Sequence, residues 1–217
     1  MADENLIVWL VDDDEAQLRL YQEILQNAFE TLGTTIAVEP VEPYPRIGDY
    51  HDIIGDPRTA ALIIDQRLGD SQPTDHTGIQ LATRLRSVSQ KLPIYILTTY
   101  ADIDDFEGKE WSVEDILRKE ILSGQDDPDN QREFRIIMER LLRRINVHQG
   151  MLEDRDRRFR ELLKKSLEEE LTPIEKSELD ELRFARTAVI LSDEQEKLSK
   201  LEAALDRLKN LQSNQDK

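Results

Sequence analysis

Three aspartates in a row, Asp12, Asp13 and Asp14, follow directly on the apolar run "LIVWLV" at residues 6–11. Neighbouring carboxylates raise one another's pKa and cost energy unless something neutralises them. Taken alone, such a cluster reads as a solvated turn, with Asp14 as the N-cap of a following helix. Three other positions change that reading. Asp65 ends the stretch "AALIID", Thr98 ends "PIYILT" and Lys119 ends "ILRK". If each stretch is a strand of one parallel sheet, the carboxylates of Asp12, Asp13 and Asp65, a hydroxyl and an ammonium converge on its carboxyl edge, where ligands sit in doubly wound sheets. Phosphoryl transfer uses these groups. Carboxylates hold Mg²⁺, which prefers octahedral oxygen ligands. A carboxylate can also act as the nucleophile and give an aspartyl phosphate. Metal, hydroxyl and ammonium neutralise charge on the transferring group. With four strand ends meeting these needs together, the aspartates read as a cation site.

The elements that must position these residues follow from the hydropathy pattern. The continuous apolar run at 6–11 fits a strand covered on both faces. Leu18, Tyr21, Leu25, Ala28 and Leu32 recur at three- and four-residue steps, the stripe of an amphipathic helix that Gly33 can end. "TIAV" (35–38) predicts a second strand before the proline-rich "EPVEPYPRIG". "AALII" (60–64) and "PIYIL" (93–97) predict a third and fourth, with Leu81, Leu85 and Val88 marking a helix face between them. "DILR" (115–118) predicts a short fifth. Strands alternating with helices argue for an α/β fold, a doubly wound parallel sheet with helices on both faces.

Past "SGQDDPDN" the pattern changes to helical periodicity alone. Asp127 before Pro128 predicts a helix start. Ile137, Leu141, Ile145, His148, Leu152, Arg155, Phe159 and Leu162 keep nearly a heptad seam, interrupted at His148 and Arg155 and weakened at Gly150. Thr172, Pro173 and Glu175 form a capping box, which Ser192 and Gln195 repeat. Leu198, Leu201, Leu205 and Leu208 make a further stripe. Two regions are expected: an α/β domain over 1–125 and an all-α, helical or coiled-coil region over 126–217. The second would hold a long helix over about 129–171 and helices over about 173–190 and 193–212.

Composition narrows the classes of function. The 217 residues include no cysteine, so disulfides and thiolate metal sites are excluded. The start "MADENLIVWL" fits neither a signal nor a transit peptide. No apolar stretch approaches the roughly 18 residues of a membrane span, so a cytoplasmic location without membrane contact is expected. Residues 1–125 hold 24 acidic and 10 basic residues, most of the chain's net charge of −17. That part repels phosphate backbones. Residues 132–165 hold eleven basic against six acidic residues, which reads first as an ion-paired helix face, as in "EDRDRRFRE". No helix-turn-helix, winged-helix, P-loop, cyclase, phosphodiesterase or protease motif is present. His51, His76 and His148 stand singly and read as surface or packing residues. Trp9 and Trp111 read as core or edge packing.

"LVDDDE", "LIIDQRLGD…TGIQLATRLR", "LPIYILTTYAD" and "ILRKEIL" resemble, in order, the blocks of bacterial response-regulator receiver (CheY-like) domains, over roughly residues 5–125. The resemblance implies a flavodoxin-like (βα)₅ fold with strand order 2-1-3-4-5. It makes Asp65 the phosphoacceptor and Asp12, Asp13 and Asp65 the Mg²⁺ ligands, joined by the backbone carbonyl of Arg67. Thr98 and Lys119 become the switch hydroxyl and the phosphate-binding lysine. Three features depart from the family. The loop "RLGDSQPTDHTG" is lengthened and reads as a mobile flap from Leu68 to Thr77. Glu120 stands where the family generally has proline. Ile116 stands at the aromatic switch position.

The implied function is that of a non-enzymatic two-component response regulator. A sensor histidine kinase or phosphotransfer protein would supply phosphate. The C-terminal helices would pass the state to a helical protein partner or a second copy, through Leu198, Leu201, Leu205 and Leu208. The alternatives are a transcription or RNA regulator using the basic helix at 132–165, and a degenerate receiver serving as an oligomeric scaffold. Nucleic acid is not the expected partner.

Overall fold

Five short runs pair as parallel strands: β1 (Ile7–Val11), β2 (Ala37–Val41), β3 (Thr59–Asp65), β4 (Ile94–Thr98) and β5 (Asp115–Arg118). They lie in the order β2-β1-β3-β4-β5, the doubly wound order expected. A computed structural model of the chain describes residues 5–70, 73–99, 108, 110–124 and 126–184. Every residue of β3 is buried, which is why its interior, residues 60–64, is continuously apolar rather than alternating. β2 starts at Ala37 rather than at residue 35 and runs on through Pro40 into the proline-rich passage. An edge strand has one side without a neighbour, so it tolerates a residue lacking an N–H.

Helices α1 (Glu15–Thr31), α2 (His51–Gly55), α3 (Gly78–Val88), α4 (Lys119–Ser123) and α5 (Pro128–Glu168) follow in chain order, with α6 at 173–184. On one face of the sheet, Val8, Leu10 and Ile63 pack with Leu18, Tyr21, Leu25 and Phe29 of α1. Phe29 is the deepest residue of that stripe, and Ala28 and Leu32 only flank it. Gly33 follows the helix at φ 73°, a conformation glycine adopts without strain. On the other face, Leu62, Ile64, Ile94 and Ile96 pack with Ile53 of α2 and Ile79, Leu81 and Leu85 of α3. A Cβ at Gly78 would lie 2.2 Å from the carbonyl oxygen of Asp65. Glycine there lets the start of α3 approach the end of β3.

The break in sequence style at residue 126 marks a change of secondary structure, not the end of the packed unit. Phe134, Ile137, Met138, Leu141 and Ile145 of α5 sit in the same core as β1 and α1. An α/β domain ending at residue 125 would leave that face of the sheet without its second helix. Beyond His148, α5 continues for twenty residues with most side chains exposed, a length of about 30 Å. It ends at Glu168, three residues before the expected 171. Its start is the expected one, with Asp127 accepting from the N–H of Asp129 at 2.8 Å and Pro128 in the first turn.

α6 folds back along the distal part of α5. Arg158 donates to Glu178 at 2.8 Å and Lys165 to Glu175 at 2.7 Å, so the two helices run antiparallel. Leu162 and Leu179 are buried in the seam. The capping box at Thr172 forms: the Glu175 N–H donates to Thr172 Oγ1 at 3.3 Å, and the Thr172 N–H donates to Glu175 at 3.0 Å. α6 is described to residue 184. The rest of the 173–190 helix, the helix expected at 193–212 and its leucines Leu198, Leu201, Leu205 and Leu208 lie outside the described residues.

Two packing expectations change. Trp111 is 63% exposed, in a 3₁₀ turn at Glu110–Ser112. The buried polar anchor of that turn is Arg86 of α3, which donates to the carbonyl of Ser112 at 3.1 Å and to those of Gln90 and Leu92. The loop after β3 is not a free flap at its ends. Leu68 is fully buried in the second core. His76 is buried against Asp75 at 2.7 Å and the Tyr50 hydroxyl at 3.4 Å.

Candidate functional site

Each strand of the inner sheet delivers one polar residue to the carboxyl edge. Asp12 follows β1, Asp65 ends β3 and Thr98 ends β4, all three buried. Lys119 is buried as well, but β5 stops at Arg118 and Lys119 opens α4 instead of extending the strand. Its Nζ lies 2.7 Å from Asp65 Oδ1 and 3.0 Å from Asp12 Oδ2. Carboxylate oxygens of Asp12, Asp13 and Asp65 lie within 4.8 Å of one another. The other oxygen of Asp65, Oδ2, accepts from the backbone N–H of Arg67 at 2.9 Å. Asp12, Asp13, Asp65 and Lys119 therefore come together in space, and Thr98 ends β4, the strand paired beside β3, one residue past the partner of Asp65.

Burial pushes the Asp12 carboxyl up, the N–H of Asp14 opposes that, and the charge of Asp65 adds to it. Burial pulls the Lys119 ammonium down, but the hydrogen bond and charge of Asp65, with the charge of Asp12, outweigh it and hold the group above its ordinary range. One ammonium against three carboxylates leaves two negative charges to be neutralised. A divalent cation would supply that charge, and a set of carboxylate oxygens suits a hard ion such as Mg²⁺. The residues present fit it.

Asp14 is not part of this cluster. It caps α1, accepting from the N–H groups of Ala16 at 2.9 Å and Gln17 at 3.2 Å, and these bonds lower its pKa. Gln17, which sequence reading passed over, reaches the site. Its Oε1 accepts from Lys119 Nζ at 2.7 Å and its Nε2 donates to Asp14 Oδ2 at 3.0 Å. The spacing Asp14-x-x-Gln17 has the form of a capping box and was the one local signal available. Gln66 was also missed: its N–H donates to the Leu97 carbonyl, and its Oε1 accepts from the first turn of α3. It ties β3, β4 and α3 together beside Asp65.

No protein-family model matches the sequence, and no curated protein matches it. Among solved structures, the chain is similar to a CheY-like response regulator receiver domain protein from Methanospirillum hungatei, with 18% identity over 65% of this chain and 97% of that one, at a TM-score of 0.46. A receiver domain protein from Clostridium thermocellum is similar at 14% identity, 65% and 98% coverage and a TM-score of 0.47. A response regulator receiver protein from Sinorhizobium medicae is similar at 17% identity, 67% and 98% coverage and a TM-score of 0.47. The fold described above rests on the chain's own strand order and not on these scores.

The departures from the receiver pattern have local consequences. Ile116, where the resemblance leads one to expect an aromatic residue, is half-buried against the second core. Lys119–Glu120 is a trans peptide and starts a helix. On the basic stretch, Arg135 pairs with Glu139, Arg144 with Glu114, Arg157 with Asp154 and Arg158 with Glu178. No described helix is long and apolar enough to cross a membrane.

Proposed function

We propose that the protein is a two-component response regulator, phosphorylated on Asp65 in a Mg²⁺-dependent reaction, whose C-terminal helices pass the state to another protein. The observation that carries this reading is the buried meeting of Asp12, Asp65 and Lys119 at one sheet edge, with Asp13 beside them and Thr98 buried at the end of the neighbouring strand. Asp12, Asp13 and Asp65, with the Arg67 carbonyl, would hold the metal. When bound, Mg²⁺ neutralises charge on the phosphoryl oxygens.

In the reaction, a carboxylate oxygen of Asp65 attacks phosphorus. The new O–P bond forms as the bond to the leaving group breaks, and the leaving group departs with that electron pair. Lys119 sits on Asp65 and meets the charge of the incoming oxygens, and Thr98 offers them a hydroxyl. The donor is a phosphohistidine on a sensor kinase or phosphotransfer protein.

The site has a short physical route to α5. Lys119 is the first residue of α4, and Ile121 and Leu122 of α4 lie in the core that holds Phe134, Ile137 and Met138 of α5. A change in what Lys119 contacts therefore bears on a packed helix pair. The output is the part of the chain beyond His148, with the stripe Leu198, Leu201, Leu205 and Leu208 as the surface for a helical partner or a second copy. The ion pairing along the basic helix favours a protein partner over nucleic acid.

Incubation of the full chain with acetyl phosphate and Mg²⁺ should add one phosphate by intact mass. EDTA should prevent it and Asp65→Asn should abolish it. Uptake that is indifferent to EDTA and to Asp65→Asn would remove the reading.

A further inference from the structure

An ammonium group has three N–H donors, and that of Lys119 has an acceptor for each. Asp65 Oδ1 lies at 2.7 Å, Asp12 Oδ2 at 3.0 Å and Gln17 Oε1 at 2.7 Å. Two of these acceptors are the carboxylates that a cation and a phosphoryl group would engage. The third is a neutral amide on the first turn of α1. That amide is itself fixed, because its Nε2 donates to Asp14 Oδ2 at 3.0 Å and Asp14 caps the helix. Reversing the amide would set its NH₂ against the ammonium and its oxygen against a carboxylate, so the neighbours define its orientation. A helix cap, a glutamine and a lysine 102 residues further along the chain thus form one hydrogen-bonded line.

We propose that Gln17 is a positioning residue for phosphorylation, holding the Lys119 ammonium at the sheet edge when Asp12 and Asp65 are engaged elsewhere. The proposal rests on the phosphorylation reading above. A lysine ammonium is a compact charge on a flexible stem. With Gln17 removed, its remaining acceptors are the two carboxylates, so it settles on them and competes with a cation for the same oxygens. Once those oxygens are taken, nothing neutral holds it in place. Gln17 supplies an acceptor that neither event removes.

The test uses the full chain. Gln17→Leu removes the acceptor at similar volume. The double variant Gln17→Glu with Asp14→Asn restores an oxygen toward Lys119 and a donor toward residue 17, while asparagine keeps the cap. Three readouts are taken: the ¹⁵N signal of the protected Lys119 ammonium at neutral pH, Mg²⁺ affinity by calorimetry without phosphodonor, and the rate of phosphate uptake from acetyl phosphate. Gln17→Leu should lose the ammonium signal in saturating Mg²⁺, where the wild type keeps it, bind Mg²⁺ several-fold more weakly and take up phosphate about tenfold more slowly. Its unfolding midpoint should change little, and the double variant should recover the signal and most of the rate. A Gln17→Leu protein with unchanged signal, affinity and rate overturns the proposal. So does a slow rate that the double variant fails to recover, which would make Gln17 a packing residue. If the wild-type chain takes up no phosphate, the phosphorylation reading fails. The ammonium signal and Mg²⁺ affinity then decide separately whether Gln17 holds Lys119.

Discussion

At the carboxyl edge of the sheet, Lys119 meets Asp65 with both side chains under a tenth exposed. Past the other end of the sheet, Lys165 meets Glu175 at the same 2.7 Å, with the lysine 38% exposed. The two contacts look alike as distances and differ in energy. The hydrogen bonds from Lys165 and Thr172 hold the Glu175 carboxyl down to about 2. Water and salt nevertheless screen such a pair, and exposed ion pairs contribute little to stability. At the buried pair, removing one partner strands a charge in the interior. The buried cluster is thus suited to a reaction that rearranges charge. The exposed ladder along α5 and α6 fixes the register of a hairpin.

The same contrast runs along α5, and breaking it on either side gives the largest effect. Ile145 is fully buried in the α/β core. Ile145→Asp should destabilise the whole unit by roughly 3–5 kcal/mol, read as a lower urea midpoint for sheet and helix together. If only helical signal were lost, α5 would be an appendage and not part of the core. Leu162, equally buried but in the hairpin seam, should behave differently. Leu162→Asp should open residues 149–184 to limited proteolysis and leave the midpoint of the α/β unit unchanged. A matching fall in that midpoint would show that the hairpin and the sheet fold as one.

Smaller changes sharpen the comparison. Thr172→Ala removes the cap of α6 and should cost the hairpin about 1 kcal/mol, seen as lost helicity by circular dichroism without loss of phosphate uptake. His148 sits where α5 leaves the sheet, buried, with its Nδ1 lacking a hydrogen-bond partner. Burial first, and then the charges of Arg86 and Arg155, lower its pKa. The unfolded chain therefore takes up that proton first as pH falls through about 6.5. The stability His148 contributes is full above that pH and is lost below it, toward the lower folded value. His148→Phe should flatten the fall of the urea midpoint between about pH 7.5 and 5.5. Identical slopes in the two proteins would mean that His148 is solvated.

How much of this was legible in the sequence depended on how local the physics is. Asp14, Asp127 and Thr172 cap the helices they were expected to cap, because a cap bonds to backbone two or three residues away. Strand positions held because a strand buried on both faces reads as an apolar run, and β2 slid by two residues because its edge position tolerates Pro40. Convergence of Asp12, Asp65 and Lys119 followed from strand order, with Thr98 at the end of the neighbouring strand. What failed was long-range. Nothing near residue 126 tells that Phe134 to Ile145 would cover the sheet. Trp111 gives no sign of facing solvent, since exposure is a property of what packs above it. Leu68 and His76 anchor a polar loop through contacts with α2 and its approach. Gln17 joins Lys119 only because the first turn of α1 faces the exit of β5.

The central claim is that Asp65, and no other carboxylate of the cluster, carries the phosphoryl group. Reduction of the freshly phosphorylated chain with borohydride converts an acyl phosphate to the alcohol and marks the residue permanently. Peptide mass spectrometry should place that mark on Asp65, in a peptide containing β3, and find none without Mg²⁺. A mark on Asp12 or Asp13, or one on Asp65 that forms equally in EDTA, would contradict the account.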